Sequence, residues 1–369
     1  MFETPRLIGR RAFLQTGGAA AGAVAAIGAT SPAPKILNQQ AGMKYRLLGN
    51  TGISLSEISL GGLVSVEAVI HYGIEKGVNC LHVSQNYLGG RSILTLGNVL
   101  KTKRDKVYVA LKDDFEDIDP VLKKLNTDYV DFLMFNRHSA EAVADPRIVE
   151  TFEKYKKAGK VRFAGLTMHA NMKEATAAGL VTGRYTLVMP VLNQPSLESM
   201  DAELRLAREK GVGVMAMKSM KGVSGIEMET AYLKKVLANP AVTTVVKGIG
   251  SFEMFDAYAK AMNAVLTTAE DRTLYRYAQA NRSRNCMLCG DCREVCPSDV
   301  DVPTILRSKD YYYDQVGDRE TAFATWAEIP AARTGSAACR DCRKCEAACP
   351  NGIPIVDRLE AARSLFAAV

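Results

Sequence analysis

Near its C-terminus the chain carries one cysteine pattern twice. The first copy is Cys286-x2-Cys289-x2-Cys292-x3-Cys296-Pro297 and the second is Cys339-x2-Cys342-x2-Cys345-x3-Cys349-Pro350. Eight of the nine cysteines lie in these two runs, so chance is no competitor. The chemistry that asks for such a run is iron–sulfur ligation. A cubane offers four iron corners, each wanting a thiolate, and three closely spaced cysteines reach three corners from one compact turn. In two-cluster ferredoxins the fourth thiolate comes from the other run. The spacing therefore predicts two [4Fe–4S] clusters. One sits on Cys286, Cys289, Cys292 and Cys349, the other on Cys339, Cys342, Cys345 and Cys296. Four-cysteine zinc sites would want two separated Cys-x2-Cys pairs each. A disulfide framework would force near neighbours to pair under strain.

The chain has 369 residues, enough for about two domains. Its formal net charge is +7. Two oxidised cubanes, each with roughly two negative charges, bring that to about +3. Arg282, Arg284, Arg293, Arg340, Arg343 and Lys344 lie beside the cysteines and offset the cluster charge. No aromatic residues interleave with them, which argues against a nucleic-acid face.

The elements ahead of the cysteines must position whatever the clusters serve. A hairpin-like opening at Tyr45–Leu48 turns at Gly49-Asn50-Thr51-Gly52. Short apolar runs then predict strands at Glu57–Leu60, Asn79–Val83, Val107–Leu111, Val130–Phe135, Val161–Leu166, Thr186–Val191, Gly213–Met217 and Thr243–Val246. Amphipathic stretches between them predict helices, including Val66–Lys76, Pro146–Ala158, Leu197–Lys210 and Phe252–Val265. Glycines fall just past several helix ends, as in Lys76-Gly77, Ala158-Gly159 and Lys210-Gly211. Eight strand–helix units over this length predict a (β/α)8 TIM barrel. A doubly wound open sheet is the runner-up, and the missing G-x-G-x-x-G after the first strand counts against it.

The barrel segment resembles the aldo/keto reductases. The residues carrying this are Tyr45-Arg46-x-Leu48-Gly49-x-Thr51-Gly52, Leu60-Gly61-Gly62, Gly77-Val78-Asn79, Val107-Tyr108-Val109-Ala110-x-Lys112, Tyr129-Val130-Asp131, Gly159-Lys160-Val161-Arg162 and Val214-Met215-Ala216-Met217-Lys218. With its cysteine-rich end, the whole looks like the ferredoxin-fused branch of that family. Cys286 to Val369 is similar to the mainly helical two-cluster ferredoxin modules of redox enzymes. The resemblance implies a tetrad of Asp, Tyr, Lys and His at the strand ends. Tyr maps to Tyr87 and Lys to Lys112, whereas the Asp position holds His82 and the His position holds Asn136. Without the carboxylate, Lys112 lacks a counter-charge; a neutral His82 could accept a hydrogen bond from it.

The same resemblance bears on NAD(P)H. Gln194 matches a family glutamine. The loop Lys247-Gly248-Ile249-Gly250-Ser251 suits a phosphate, with Lys247, Gly248 and Ser251 as its contacts. The Ser-Asn pair that holds the nicotinamide amide reads Thr167-Met168, and the stacking aromatic reads Met217. NAD(P)H is thus an open cofactor, not a required one.

The four histidines are His71, His82, His138 and His169. Three of them fall at the C-terminal ends of predicted strands two, four and five, the face where barrels do chemistry. A joint site would bind a metal or move protons, with His138 beside Asn136; three unrelated loop histidines are the plainer alternative. Cys80 reads as a small core residue, and Asp113 and Asp114 as loop carboxylates.

Arg10-Arg11-Ala12-Phe13-Leu14-Gln15, followed by a weakly apolar Ala/Gly run to Ala29, resembles a twin-arginine signal. The run is too short for a stable membrane span beyond an uncleaved signal anchor. The expected organisation is a signal at 1–31, a linker at 32–42, the barrel at 43–267 and the cluster domain at 268–369. The leading expectation is an exported oxidoreductase, periplasmic or on the outer membrane face. It would pass electrons between a small molecule in the barrel and a redox protein or quinone-linked carrier. A nicotinamide-dependent aldo/keto reductase with accessory clusters, and an inactive barrel serving as an electron-transfer or binding subunit, are the alternatives.

Overall fold

The computed structural model describes residues 34–61, 66–112, 117–334, 339 and 342–366, and side chains there except those of residues 194 and 195. The twin-arginine segment, Asp113, Asp114 and Arg340 lie outside the described residues. Pro34 to Val369 forms one compact unit.

Among the described residues eleven strands fall in two sheets. β1 (Lys35–Ile36), β2 (Tyr45–Leu47) and β3 (Ile53–Ser56) make a small sheet in which β3 is central. The other eight close a barrel. They are β4 (Ile58–Gly61), β5 (Cys80–Val83), β6 (Tyr108–Lys112), β7 (Val130–Asn136), β8 (Val161–Thr167), β9 (Leu187–Met189), β10 (Gly213–Met217) and β11 (Val242–Lys247). Neighbours run parallel, and β11 pairs back onto β4 through Val246 and Ser59. Buried on both faces, these strands read as continuous apolar runs: every residue of β10 is buried. Every predicted barrel strand is present within a residue or two; β9 stops at Met189, ahead of Pro190, which has no N–H for the ladder.

Two expectations need correcting. The predicted helix Leu197–Lys210 is two helices, Gln194–Ser199 and Asp201–Glu209, broken at Met200. Residues 35–38, read as linker, are tied to the barrel's base. The Tyr108 hydroxyl donates to the Lys35 carbonyl (3.1 Å), and Asn79 Nδ2 to that of Leu37 (3.1 Å). At the same end, Asp131 on β7 is buried and takes bonds from Arg104 Nη2 (3.0 Å), Arg162 Nη1 (2.6 Å) and the Val109 amide (2.9 Å).

After the barrel the chain is helical. Thr268–Asn281 opens with a capping box between Thr267 and Glu270. Short helices at Asp291–Glu294 and Lys344–Ala347 lie within the two cysteine runs. Between the runs come Val302–Leu306, a ten-residue π-helical stretch at Arg307–Val316, and Arg319–Ala327. Such wide helical turns are rare and gather at functional sites. The closing helix Ile355–Phe366 packs Phe366 on Trp326 (4.8 Å, stacked) and Phe323 (5.0 Å, edge-on).

Candidate functional site

The segment between the cysteine runs roofs the C-terminal mouth of the barrel. Its anchors are specific. The Lys218 amine, just past β10, donates to the Tyr312 hydroxyl (3.3 Å) and lies over the Tyr311 ring (3.8 Å). Gln315 bonds the Met220 carbonyl and the Gly222 amide, both at 3.3 Å. Gly222 has φ +77, and any Cβ there would strike the Asn285 side chain. Farther round, Arg91 pairs with Glu320 at 3.1 Å.

Two cavities open under this roof, and Tyr87 and Tyr312 line both. The first, about 340 Å³, is walled by His82, Met217, Lys218, Lys221, Lys247 and Gly248 among others. The second, about 300 Å³, is walled by Gln85, Lys112, Asn136, His169, Arg307 and Glu328 among others. The expected set Tyr87, Lys112, His82 and Asn136 thus gathers at one mouth, as strand-end placement requires.

The details differ from the expectation in places. Tyr87 sits in a tight turn whose next residues, Leu88 and Gly89, have φ of +52 and +61. The Lys112 amine lies 5.2 Å from the centre of the Tyr87 ring. His82 is tilted against that ring at 6.1 Å. The hydrogen bond expected from Lys112 to His82 is not formed: among the described residues neither ring nitrogen of His82 has a partner. Burial, with Lys112 and Lys218 nearby, pushes the His82 pKa down to about 3, so the ring is neutral.

Two of the three strand-end histidines meet. The His138 and His169 rings are 5.8 Å apart, and His138 Nδ1 accepts from the His169 amide (3.0 Å). His169 Nδ1 lies 3.1 Å from Asn136 Oδ1. Burial, reinforced by the Arg307 guanidinium, lowers His138 to about 3 and His169 well below the usual histidine range. His82 lines the other cavity and stands apart from this pair. Among the described residues no three His, Cys, Asp or Glu side chains are grouped to hold one metal ion. His71 lies away on the helix Glu67–Glu75, paired with Glu67 at 3.7 Å.

The cofactor residues divide. Lys247 and Gly248 line the first cavity, with Lys218 and Lys221 adding positive charge, which suits phosphates. Lys247 is paired with Glu229 at 3.5 Å, and the Ser251 hydroxyl caps its own helix through the Met254 amide (3.2 Å). The Gln194 backbone begins a helix capped by Asn193; its side chain is outside the described ones. Thr167 and Met168 are fully buried, and the Thr167 hydroxyl is turned to the Met217 sulfur (3.7 Å). A phosphate end therefore fits, but the polar pair that would hold a nicotinamide amide is absent from its place.

The sulfurs are brought together across the two runs. Cys286, Cys289, Cys292 and Cys349 line one small cavity, with Leu288, Val302, Leu306 and Ile355 as its apolar walls. Burial, with mutual proximity adding to it, raises the Cys286, Cys289 and Cys292 thiols, Cys289 to about 12, which is the strain a bound cation relieves. Burial also raises Cys345 to about 11, with Cys296 and Cys339 close enough to add to it. Backbone amides aim at sulfur in both groups: Leu288 at Cys286 (3.4 Å) and Val300 at Cys296 (3.5 Å). Gly290 turns the first run with φ +101, where a side chain would strike Asn171 of the barrel. The thiol set fits an iron–sulfur cubane, whose iron corners spread the ligands wider than one metal ion would.

Lys218, Lys221, Arg307, Tyr311 and Tyr312 were missed from the sequence. The run Tyr311-Tyr312-Tyr313 was a visible signal; nothing showed that it would reach the barrel. Lys221 joins the two halves of the site. It lines the first cavity, is almost fully buried, and donates to the Cys286 carbonyl at 2.7 Å. Burial lowers its pKa, and burial lowers that of Lys218 further.

Comparison with known proteins agrees with this geometry. Residues 64–226 match the aldo/keto reductase family, and residues 282–353 match a 4Fe-4S dicluster domain. The uncharacterized oxidoreductase YqkF of Bacillus subtilis (strain 168) is 24% identical over 289 residues, spanning 62% of this chain and 94% of that protein. The holo and apo forms of aldo-keto reductase AKR11C1 from Bacillus halodurans superpose with TM-score 0.52 at 22% identity. They cover 64% of this chain and 96% of theirs. An aldo/keto reductase domain and a 4Fe-4S dicluster domain are both found in this chain. Together they support an iron–sulfur oxidoreductase. Among the described residues no helix is long and apolar enough to cross a membrane.

Proposed function

We propose that the chain reduces or oxidises a small molecule at the barrel mouth and exchanges the electrons with an outside carrier, a redox protein or quinone-linked one, by way of its cysteine-bound clusters. Two [4Fe–4S] clusters, held as Cys286, Cys289, Cys292 with Cys349 and as Cys339, Cys342, Cys345 with Cys296, would supply one-electron transfer. The observation that carries this is Lys221, one side chain touching both the cavity and the backbone of Cys286. Tyr87 is the proton donor, with Lys112 favouring its ionised form by charge. Asn136 and the His138–His169 pair order the polar wall beside them. The roof keeps bulk water from the site, which strengthens every charge interaction within it.

The test is anaerobic. The loaded protein is reduced, mixed with a panel of aldehydes, ketones and 2-oxo acids, and followed by EPR. Loss of the reduced signal with one compound is the expected result, slowed in Lys221→Met at unchanged iron content. A signal unmoved by every compound, alongside rapid NADPH oxidation, would overturn it.

The nicotinamide-dependent alternative has one observation in its favour, the three lysines of the first cavity. Titration with NADP+ separates the two, because micromolar binding favours the nicotinamide. We propose also that the chain is exported by the twin-arginine route to the periplasm or outer membrane face, on the strength of Arg10-Arg11 and the run behind them. A reporter fused to residues 1–42 tests this: export must fail when both arginines become lysine.

A further inference from the structure

The second cavity contains a charge that the proton-handling set does not use. Arg307 is 5% exposed, and its Nε is buried without a hydrogen-bond partner among the described residues. An N–H left unpaired at that depth is costly, and a group of this kind calls for an explanation such as a ligand that completes it. Lys112 lines the same cavity, so the positive charge is shared by a barrel strand and the roof. Glu328 lines it too. That carboxylate leaves the cavity suited to a single negative charge and opposes a phosphate dianion.

A second unpaired group lies in the same wall. His169 Nδ1 faces Asn136 Oδ1, an oxygen that only accepts, so Nδ1 carries the hydrogen and Nε2 the lone pair. That Nε2 is buried and has no partner among the described residues. It calls for a donor, such as a hydroxyl. Tyr87 completes the wall with its phenol. At about 300 Å³ the cavity is at the small end of ligand sites.

We infer that this cavity is a binding site for a small 2-oxo or 2-hydroxy acid. Arg307 takes the carboxylate through its two-pronged guanidinium, and the neighbouring oxygen lies among Tyr87, Lys112 and His169. The inference deepens the proposed function by naming the substrate class, and it rests on the barrel mouth being the reacting site. It also makes the cluster-bearing half supply the anchor for the barrel's substrate.

Binding tests it without turnover. Calorimetric titration of the full, anaerobically loaded chain compares the monoanions pyruvate, glyoxylate and lactate with neutral pyruvamide and with inorganic phosphate. At least one carboxylate should bind ~10-fold or more tighter than pyruvamide, as one charge-assisted pair allows. Arg307→Gln should remove that preference and Arg307→Lys should keep part of it. Equal binding of carboxylates and amide by the unaltered chain overturns the inference, as does no binding by any of the three, and neither result depends on a variant folding. Phosphate binding as tight as the best carboxylate overturns the monoanion assignment. Carboxylate preference with clusters that stay silent to every compound would defeat the electron route and leave this site standing. Reoxidation by a neutral aldehyde without carboxylate preference would do the reverse.

Discussion

His82 offers a direct measurement of how dry the barrel mouth is. Its ring is 5% exposed, with neither nitrogen paired among the described residues, and its pKa falls from 6.5 to about 3. A histidine depressed in the folded state binds fewer protons there than in the unfolded chain. Its contribution is therefore complete above about pH 6.5 and is lost as pH falls toward 3. Between pH 7 and pH 5 the unfolded ring takes up a proton that the folded ring refuses over about 1.5 units, or ~2 kcal/mol at 1.36 kcal/mol per unit. His82→Leu removes the titration at similar volume and breaks no hydrogen bond. Anaerobic urea unfolding, followed by circular dichroism at both pH values, should show the unaltered protein losing ~2 kcal/mol more than the variant. The other buried histidines are common to both proteins and cancel. Equal losses would mean that His82 is hydrated or paired in the native protein, and the account of a dry mouth around an uncompensated Lys112 would fail.

Other expectations follow from the same geometry. Cys289→Ser with Cys349→Ser should leave about half the iron and one cubane signal, whereas Cys345→Ser with Cys349→Ser should disturb both clusters; iron counting and EPR distinguish them, because the first pair lines one cavity and the second does not. Asp131→Asn should cost roughly 3 kcal/mol in urea unfolding, because it strands Arg104 and Arg162 around a buried acceptor.

The barrel was legible because its strands are buried on both faces and stand out as apolar runs between amphipathic ones. Tyr87, Lys112, His82 and Asn136 were named through the resemblance to the aldo/keto reductases; strand position then accounts for Lys112, His82 and Asn136 at one end of the barrel, while Tyr87 comes from the turn after β5. Cysteine spacing carried the thiol groups, since reach along the chain is a local property. What sequence could not give was contact between distant segments. Lys218 and Lys221 look like ordinary loop lysines until Tyr312 and Cys286 are laid against them. Arg307 looks like a surface arginine until the π-helical stretch turns it inward. The break at Met200 was hidden because the apolar periodicity runs on through it.

The roof has a mechanical consequence. Arg307 and Tyr312 belong to a strap whose ends are the two cysteine runs, at Cys296 and Cys339. Under the proposed ligand pairing both ends would be pinned to one cluster, which would shorten a long free loop and lower the entropy lost in seating the strap. Iron supply would then govern the shape of the organic pocket as well as its wiring, and a cell short of iron would make a chain with a folded barrel and a loosely tethered lid.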